Sequence, residues 1–414
     1  MSTVNLGNGQ WLSWGELNHA IRGKRVIFFG RGEWMEKTLN YLATDGDYIV
    51  DNNKYEHSQV ERGLKIYSPE KLRTENWEEI FIIITTSGFQ EVETQLCEFG
   101  FISERHFCIS PSLKNFRSIS RINKHKQTIY LTCSDRYLKG ELERGGGLFS
   151  YDIQTGNTKK VINGLCHGIV EGSGCIYLVD DTTGIRVLEK NFEVRDRFEL
   201  PPKSRPHGIA YCAERKLIFV NFSGRDSIGI YESRSYKKID EIFLSNKWQQ
   251  TKIAQHHVND VCVYGNSLYV SMFSLSGNWK IGAYDGCILE IDIDLRQVLM
   301  PVVSNLWAPH SPTIVNGMLF YCDSMRGKVY KSTWKILIEC NGFVRGIEYD
   351  GEFYYIGQSM HRYIDRREGT TNNISLDTGV FMVDGTDKVT KFFAMPHLTD
   401  INAIFIPSSS QGEK

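Results

Sequence analysis

The sequence predicts a multidomain protein, with an N-terminal α/β domain followed by an all-β six-bladed propeller. Three observations carry this prediction. A short phrase recurs six times after residue 160, hydrophobic strand patterns follow its copies, and strands alternate with helices before residue 110. The expected boundaries are residues 1–110 for the α/β domain, 111–126 for a linker, 127–407 for the propeller and 408–414 for a disordered tail.

The recurring phrase places a polar residue before a small or apolar run, as in His167-Gly168-Ile169-Val170. Its six copies begin at His167, His207, Asn259, His310, Arg345 and Asn402, so that successive copies lie 35 to 57 residues apart. Periods of about 40–50 residues are typical of four-stranded propeller blades. Because backbones converge near a propeller axis, the glycine-containing phrases predict the innermost strand of each blade.

The strands behind each phrase complete the predicted blades. An aromatic-rich hydrophobic strand follows, such as Cys175–Val179, and two more strands come after turns rich in Gly and Asn. Residues 128–163 supply three strands without an inner phrase, whereas Asn402–Ile406 supplies an inner strand with no blade behind it. Joining these two segments makes the sixth blade and closes the propeller from both ends, so that no sheet edge stays open.

The composition excludes several classes of partner and location. The net charge of −1 does not favour nucleic acid or an anionic membrane surface as a partner. No apolar run approaches the length of a membrane span, and the start lacks a basic-then-apolar leader, so a cytoplasmic location is expected. The ten cysteines include no Cys-x-x-Cys pair and are expected to be buried free thiols.

The N-terminal domain shows the alternation of a parallel α/β sheet. Strands are predicted at Arg25–Phe29, Tyr48–Val50 and Ile80–Ile84, with helices between the first two and at Glu91–Phe99. A lead-in helix is predicted within residues 1–22.

A Gly-x-Gly turn follows the first strand. Gly30 and Gly32 precede a helical pattern, and Asp51 lies about 20 residues further on. In dinucleotide-binding folds such glycines let a phosphate approach a helix N-terminus, and the acidic residue accepts a ribose hydroxyl hydrogen bond. The turn therefore predicts a site for NAD(P) or another nucleotide, although Met35 stands where a third glycine or alanine is expected.

Four segments of this domain carry a family resemblance. They are Phe29–Gly32, Val50–Asn53, Gly63–Ile66 and Ser68–Leu72. Over residues 23–110 they resemble a small Rossmann-like domain common in bacterial polysaccharide and sugar-modification proteins. The resemblance implies a Rossmann-like fold and a link to sugar chemistry. A structural or docking role for the domain is the alternative interpretation.

Phrases in the propeller also carry a resemblance. Val258–Val261, Ala308–Pro312 and Val344–Ile347 are similar to phrases of an uncharacterised bacterial propeller family, over about residues 125–406. This resemblance implies the fold and brings no reaction with it. Six-bladed propellers of the lactonase and amidating-lyase types hold axial metals. The axial zinc-binding histidines of the lyase type are the nearer pattern, by analogy alone.

One end of the propeller channel is predicted to carry function. The inner strands begin at that end, and the long loops Ser134–Gly146, Ser274–Asp285 and Gln358–Thr378 return to it. The candidate catalytic residues are His167, His207, His257, His310, Asp260 and Arg345. The four histidines would suit a divalent transition metal such as Zn, Fe or Ni, and Arg345 would hold a carboxylate or phosphate.

Further polar and aromatic residues are candidates for substrate binding. They are Asn259, Asn402, Asp323, Gln358, His361, Tyr284 and Trp279. Each has a structural alternative. A histidine can bond a neighbouring carbonyl, a polar residue can cap a loop, and an aromatic ring can pack in the interior.

Three functions are consistent with these residues. The first is an enzyme acting on a sugar or sugar-containing metabolite, as an epimerase, lyase or hydrolase in glycan or secondary-metabolite biosynthesis. The second is a non-catalytic propeller that binds a glycan or protein, with the N-terminal domain as a docking module. The third is an NAD(P)-dependent sugar oxidoreductase. The first is favoured, and a homo-oligomer is left open.

Overall fold

The computed structural model describes residues 11–53, 57–135, 145–361, 364, 373–386 and 388–408. The chain forms two compact units, Met1–Asn123 and Lys124–Lys414. Most of the predicted loop 134–146 and the predicted tail from residue 409 lie outside the described residues, as does the beginning of the lead-in helix.

The N-terminal unit is built on a six-stranded sheet. Its strands are β1 Arg25–Phe29, β2 Tyr48–Val50, β3 Val60–Glu61, β4 Leu64–Tyr67, β5 Ile80–Ile84 and β6 Phe107–Ile109, and its helices are α1 Trp14–Ala20, α2 Glu33–Leu39, α3 Phe89–Glu98 and α4 Lys114–Lys124. The sheet order is β3-β4-β2-β1-β5-β6. All neighbours pair in parallel except β3 and β4. The predicted bounds of β1, β2 and β5 are confirmed.

The predicted linker is largely helical. Ser110 accepts a hydrogen bond from the Ser112 amide, and Pro111 begins a 3₁₀ turn that continues into α4. Leu113 is buried and Phe116 packs on the core of the N-terminal sheet. The apolar spacing of these residues fixes the segment as a helix where composition alone suggested a linker.

The described residues of the second unit form six four-stranded antiparallel sheets, which confirms the six blades. The strands are β7 Thr128–Cys133, β8 Gly147–Asp152, β9 Thr158–Asn163, β10 Cys166–Gly172, β11 Cys175–Asp180, β12 Gly184–Leu188, β13 Val194–Phe198, β14 Pro206–Cys212, β15 Leu217–Phe222, β16 Ser227–Glu232, β17 Lys238–Phe243, β18 Val258–Tyr264, β19 Ser267–Met272, β20 Gly286–Asp292, β21 Gln297–Leu306, β22 Pro309–Val315, β23 Met318–Asp323, β24 Lys328–Lys331, β25 Lys335–Glu339, β26 Phe343–Tyr349, β27 Tyr354–Ser359, β28 Gly379–Val383, β29 Thr390–Ala394 and β30 Ala403–Phe405. Helix α5, Asn246–Thr251, lies between β17 and β18.

The recurring phrase forms the first strand of each sheet. Five sheets run in chain order from β10, β14, β18, β22 and β26, and the sixth has the order β30-β7-β8-β9. Strand β30 pairs with β7 through Ala403 opposite Thr132, and it contacts β26 and β10 as well. The core lies within each blade and between neighbouring blades, as the buried clusters that join β15, β16, β18 and β19 show.

A buried carboxylate fastens the segment before β30 to β7. Asp400 is fully buried and accepts hydrogen bonds from the Ser134 amide at 3.0 Å, the Ser134 hydroxyl at 2.9 Å and the Cys133 thiol at 2.9 Å. The Thr399 amide donates to Asp135 at 3.0 Å. These bonds satisfy a carboxylate whose burial would otherwise be costly.

All ten cysteines lie in described residues and all are free, as the sequence predicts. Most are buried on strands of the blades or of the N-terminal sheet. Within the described residues, no helix combines the length and the apolar character needed to cross a membrane.

Close approach at the axis makes a testable prediction for Gly208. A Cβ atom added there would lie 2.5 Å from Asp260 Cα and 2.8 Å from the Asn259 carbonyl oxygen, both backbone atoms of the next blade. We expect Gly208→Ala to lower the free energy of unfolding by at least about 2 kcal/mol in chemical denaturation, because the strands cannot move apart without disturbing both blades.

The matched control is Gly15→Ala in helix α1, where an added Cβ meets nothing within 4 Å. Alanine is the better helix former, so this change should leave stability equal or slightly raised. Equal stability of Gly208→Ala and the unaltered protein would contradict the close packing of the inner strands.

Candidate functional site

A β-bulge interrupts the inner strands at the recurring phrase. The pairing register shifts between Cys166 and Ile169 in β10, and at the corresponding places in β14, β18, β22 and β26. Bulges redirect side chains and are frequent beside functional sites. Here each bulge lies at the polar residue of the phrase or immediately after it, which turns that residue towards the axis.

The polar residues that begin five of the six phrases line one cavity of about 420 Å³. Among the residues that line it are His167, His207, His257, Asn259, His310 and Arg345. The cavity lies where the inner strands begin, at the end of the channel that the sequence predicts to be functional. Its size is within the range of sites for small metabolites.

The rings around this cavity form a continuous arc. His167 stacks on His207 with centroids 4.6 Å apart, and His207 meets His257 edge-on at 5.4 Å. Phe273 lies between His257 and His310, at 4.3 and 5.2 Å. The arc continues from His310 through Phe343 to His361. The histidines are therefore brought together, but with phenylalanine rings interleaved.

Two histidines are held by the same local bond. His207 Nδ1 lies 3.0 Å from the Arg205 carbonyl oxygen, and His310 Nδ1 lies 2.9 Å from that of Ala308. A carbonyl oxygen can only accept, so in each case Nδ1 carries the proton and Nε2 is left as the acceptor. Arg205 and Ala308 both adopt the left-handed conformation, with φ of 45° and 50°. Each histidine therefore follows a tight turn that fixes its tautomer.

Burial keeps these imidazoles neutral. Desolvation lowers the pKa of His207 to about 4, and the charge of Arg345 acts in the same direction. Burial likewise holds the pKa of His257 and that of His310 well below the ordinary histidine value, again with help from Arg345. At neutral pH His207, His257 and His310 therefore present uncharged imidazoles beside arginine.

Asn259 contributes a buried amide to the same cavity. Its side chain is 1% exposed, and neither its Nδ2 nor its Oδ1 has a hydrogen-bond partner among the described residues. An amide left without partners in a protein interior is costly, because it has lost its bonds to water. A ligand in the cavity would supply the missing bonds.

Two arginines reach the cavity. Arg345 donates to the Asn402 amide oxygen, and its guanidinium lies 4.9 Å from the centre of the Phe343 ring. Arg205 is exposed at the cavity wall, two residues before His207. Asp135 and Asp181 also line the cavity. The mouth therefore combines fixed positive charge, neutral imidazoles and rim carboxylates.

The predicted four-histidine metal site stays a prediction. Among the described residues, the three donors with ligand atoms within 4.8 Å of one another are Cys133, Asp135 and Asp400, and no trio of the axial histidines joins them. The Cys133 thiol donates to Asp400, and burial raises its pKa, so this group is held by its own hydrogen bonds. We therefore assign no step to a metal.

Several sequence candidates lie away from this cavity. Asp260 and Asn402 line a second cavity of about 320 Å³, further along the inner strands. Asp260 accepts from the Ser311 amide at 2.8 Å, and Asn402 donates to the Cys166 carbonyl at 2.9 Å. Because adjacent residues of a strand face opposite ways, the bulge that directs Asn259 into one cavity sends Asp260 into the other.

The remaining candidates have structural partners. Asp323 accepts from the Trp307 amide and from Arg326, and Gln358 bonds the Gly342 amide and the Asp377 carbonyl. Their substrate-binding role is therefore not supported by contact with the cavity. Trp279 packs behind His257 and Phe273, Tyr284 packs on Trp307, and His361 is buried against Phe343. These three rings support the wall.

Arg205, Phe273 and Phe343 line the cavity and were not singled out from the sequence. Arg205 could have been found, since it precedes His207 by two residues as His257 precedes Asn259. Both residues also share the left-handed conformation. The phenylalanines follow from no pattern, because their place in the ring arc depends on strand ends that only the fold brings together.

The N-terminal glycine turn is occupied by the chain itself. Gly30 and Gly32 both have positive φ, as a tight turn requires. The Gly32 amide donates to Glu61 Oε1 at 3.2 Å, and Arg31 lies 3.6 Å from the same carboxylate. Asp51 accepts from the Asn53 amide at 2.8 Å. A carboxylate of this chain therefore lies where a bound phosphate is expected.

Part of the propeller is similar to a known protein family. Residues 202–406 match the family described as Domain of unknown function (DUF4915). The matched residues include the second to the sixth copies of the recurring phrase. It agrees with the propeller family resemblance over this part of the chain.

The solved structures to which this chain is similar are distant from it in sequence. A chain of a nidogen/laminin complex is 13% identical, with a TM-score of 0.47, and the match covers 68% of this chain and 97% of that one. A protein of unknown function from Bacteroides caccae is 12% identical, with a TM-score of 0.47 and coverage of 67% and 98%. A calcium-binding regucalcin from Agrobacterium tumefaciens is 12% identical, with a TM-score of 0.40 and coverage of 55% and 72%. No curated protein sequence matches this chain.

The second cavity gives a pH-dependent prediction through Glu348, which lines it. Burial raises the pKa of Glu348 to about 7, whereas an unfolded glutamate has a pKa of about 4.3. Above pH 7 the carboxylate is charged in the folded and in the unfolded protein, and its buried charge destabilises the fold. As the pH falls below 7, the carboxylate is protonated in the folded protein and this destabilisation decreases. We expect Glu348→Gln to raise the melting temperature clearly at pH 8 and much less at pH 5.

The control is Glu214→Gln, whose side chain is 80% exposed. Its effect on the melting temperature should be small and similar at both pH values. A gain from Glu348→Gln that is as large at pH 5 as at pH 8 would show that Glu348 is not protonated in the fold.

Proposed function

We propose that the axial cavity binds a sugar or sugar-containing metabolite and transforms it by acid–base chemistry of the epimerase, lyase or hydrolase type, in glycan or secondary-metabolite biosynthesis. The observation that carries the proposal is the buried amide of Asn259, which has no hydrogen-bond partner among the described residues and borders the cavity. A sugar hydroxyl is both donor and acceptor and would satisfy both ends of this amide.

The histidines supply the proton-transfer groups in this proposal. His207 and His310 keep Nε2 as an acceptor because Nδ1 is engaged with a carbonyl. A neutral imidazole with a fixed tautomer can accept a proton from a substrate hydroxyl or an acidified C–H bond and return it. The carbonyl bond on Nδ1 then stabilises the imidazolium that forms. His167, stacked on His207, borders the same space.

The cavity has both apolar and polar walls, which match the apolar faces and the polar edge of a sugar ring. Phe273 and Phe343 give apolar faces between polar groups, and aromatic rings pack well on the C–H faces of sugars. The polar edge of the ring would meet Asn259 and the imidazoles. Aromatic faces, amides and neutral acceptors together are the arrangement that a small polyol requires.

A direct test follows turnover by proton NMR in D₂O with a panel of sugars, sugar acids and sugar phosphates. Epimerisation introduces deuterium at the reacting carbon, while elimination and hydrolysis give new signals. We expect turnover by the unaltered protein and a loss of at least about tenfold in Asn259→Ala and His207→Gln. Circular dichroism and melting temperature verify that the variants are folded.

The control is His397→Gln, an exposed histidine of the propeller away from the axial cavity, which should retain full turnover. Full turnover in Asn259→Ala and His207→Gln would refute the site. Binding without turnover, weakened by Asn259→Ala, would instead establish the alternative of a non-catalytic glycan-binding propeller.

For the N-terminal unit we propose a Rossmann-like module with a docking role. Its parallel strand order around β1 and the two positive-φ glycines support the fold. The nicotinamide-dependent oxidoreductase is the alternative, and it needs Glu61 to leave the Gly32 amide. We expect calorimetric titration with NAD⁺ and NADP⁺ to give no binding heat. Saturable heat that disappears in Asp51→Ala would favour the alternative.

A further inference from the structure

The charges around the axial cavity define the class of ligand more closely, if the cavity is the site proposed above. We propose that this ligand carries an anionic group, a carboxylate or a phosphate ester on a sugar, which Arg345 and Arg205 bind together. The basis is that two guanidinium groups, from the blades of β14 and β26, line one cavity together with uncharged imidazoles and the amide of Asn259, while the carboxylates of Asp135 and Asp181 also line it.

The side chain of Arg345 is held in place by contacts within the propeller. It lies in the inner strand β26, its guanidinium lies 4.9 Å from the centre of the Phe343 ring, and it donates to the neutral amide oxygen of Asn402. These contacts fix the orientation of the guanidinium. A planar guanidinium held in this way suits a carboxylate or phosphate, which can accept two parallel hydrogen bonds from it.

Arg205 offers the second charge from a different blade. It precedes β14 and lies in the left-handed conformation, and its own carbonyl oxygen holds His207. The turn that positions the imidazole therefore also positions the arginine. Because the side chain is exposed at the cavity wall, it can close on a ligand without disturbing the core.

The electrostatic field at the imidazoles is positive. Arg345 lowers the pKa of His207, His257 and His310, and Arg205 adds to the effect on the first two. Lys280 contributes to the field at His257. The carboxylates that line the cavity, Asp135 and Asp181, belong to the rim, and Asp135 is bonded by the Thr399 amide. A buried positive field of this kind attracts an anion.

The imidazoles and the arginines would bind different parts of the ligand. His207 and His310 present Nε2 acceptors, which pair with hydroxyl groups and not with an anion. The anionic group is therefore placed on the arginines and the hydroxyls on the imidazoles and Asn259. Sugar acids and sugar phosphates have both ends in one small molecule.

The test is calorimetric titration of the full chain with three matched ligands: D-glucuronate, D-glucose 6-phosphate and D-glucose. We expect at least one anionic sugar to bind at least about tenfold more tightly than D-glucose. Arg205→Met should weaken that binding about 10- to 100-fold, because a hydrogen-bonded charge pair is lost. Arg345→Met should do the same, and the exposed Arg205 variant keeps the test valid if Arg345→Met does not fold.

Arg215→Met is the control, since Arg215 pairs with Asp294 at the surface and lies outside the cavity wall. It should leave binding unchanged. Preference for glucuronate assigns a carboxylate, and preference for glucose 6-phosphate assigns a phosphate. Equal binding of glucose, or an unchanged affinity in Arg205→Met, overturns the anionic class and leaves the sugar site intact. If none of the three ligands binds, the anionic class is overturned as well. The sugar site is then tested by turnover of the wider panel and by the loss of that turnover in Asn259→Ala.

Discussion

The structure depends on how closely the six inner strands approach one axis. At Gly168 and Gly208 the neighbouring backbones come so near that an added Cβ atom would lie 2.7 Å or less from the next blade. Glycine at these two contacts leaves room for the neighbouring backbone, and the bulge beside each of them redirects the polar residue of the phrase. The close approach of the inner strands therefore holds the blades together and directs the polar residues of the phrase into the channel.

The close packing around the axis removes polar side chains of the site from water. Imidazoles, an amide and a guanidinium are placed where water is scarce, and the histidine pKa values fall accordingly. The fold offsets part of the cost with local bonds, such as those from His207 and His310 to carbonyl oxygens two residues earlier. At Asn259 it does not, since neither polar atom of this buried amide has a hydrogen-bond partner among the described residues. Groups that a fold leaves unsatisfied in its interior often serve a ligand.

The repetition in the sequence is what made the propeller predictable. Six phrases with regular strand patterns specify six blades, because each blade repeats the same turn and burial requirements. Several of the cavity residues could be predicted for the same reason, since His167, His207, Asn259 and His310 occupy equivalent positions in the phrase. Asp260 could not be placed, because a bulge of a single residue decides which way it faces.

Other features depend on contacts that sequence patterns do not record. Phe273 and Phe343 enter the cavity from the end of one strand and the start of another, and the helix of the expected linker follows from Leu113 and Phe116 packing on the N-terminal core. The metal prediction rested on residue type, and histidines that share a cavity need not share a centre. Among the described residues, no three of these histidines have ligand atoms within 4.8 Å of one another, and the Phe273 ring lies between His257 and His310.

The pairing of β30 with β7 has a consequence for biosynthesis. Asn402 binds the carbonyl of Cys166, 236 residues earlier in the chain, and it also receives the hydrogen bond of Arg345. A ribosome releases the first blades long before this strand exists. Until β30 is translated, Arg345 lacks its amide partner and the inner edge of β7 is exposed to other chains. The nascent propeller would therefore need shielding from aggregation until β30 is made, and the contacts that Asn402 makes to Arg345 and Cys166 could form only after that.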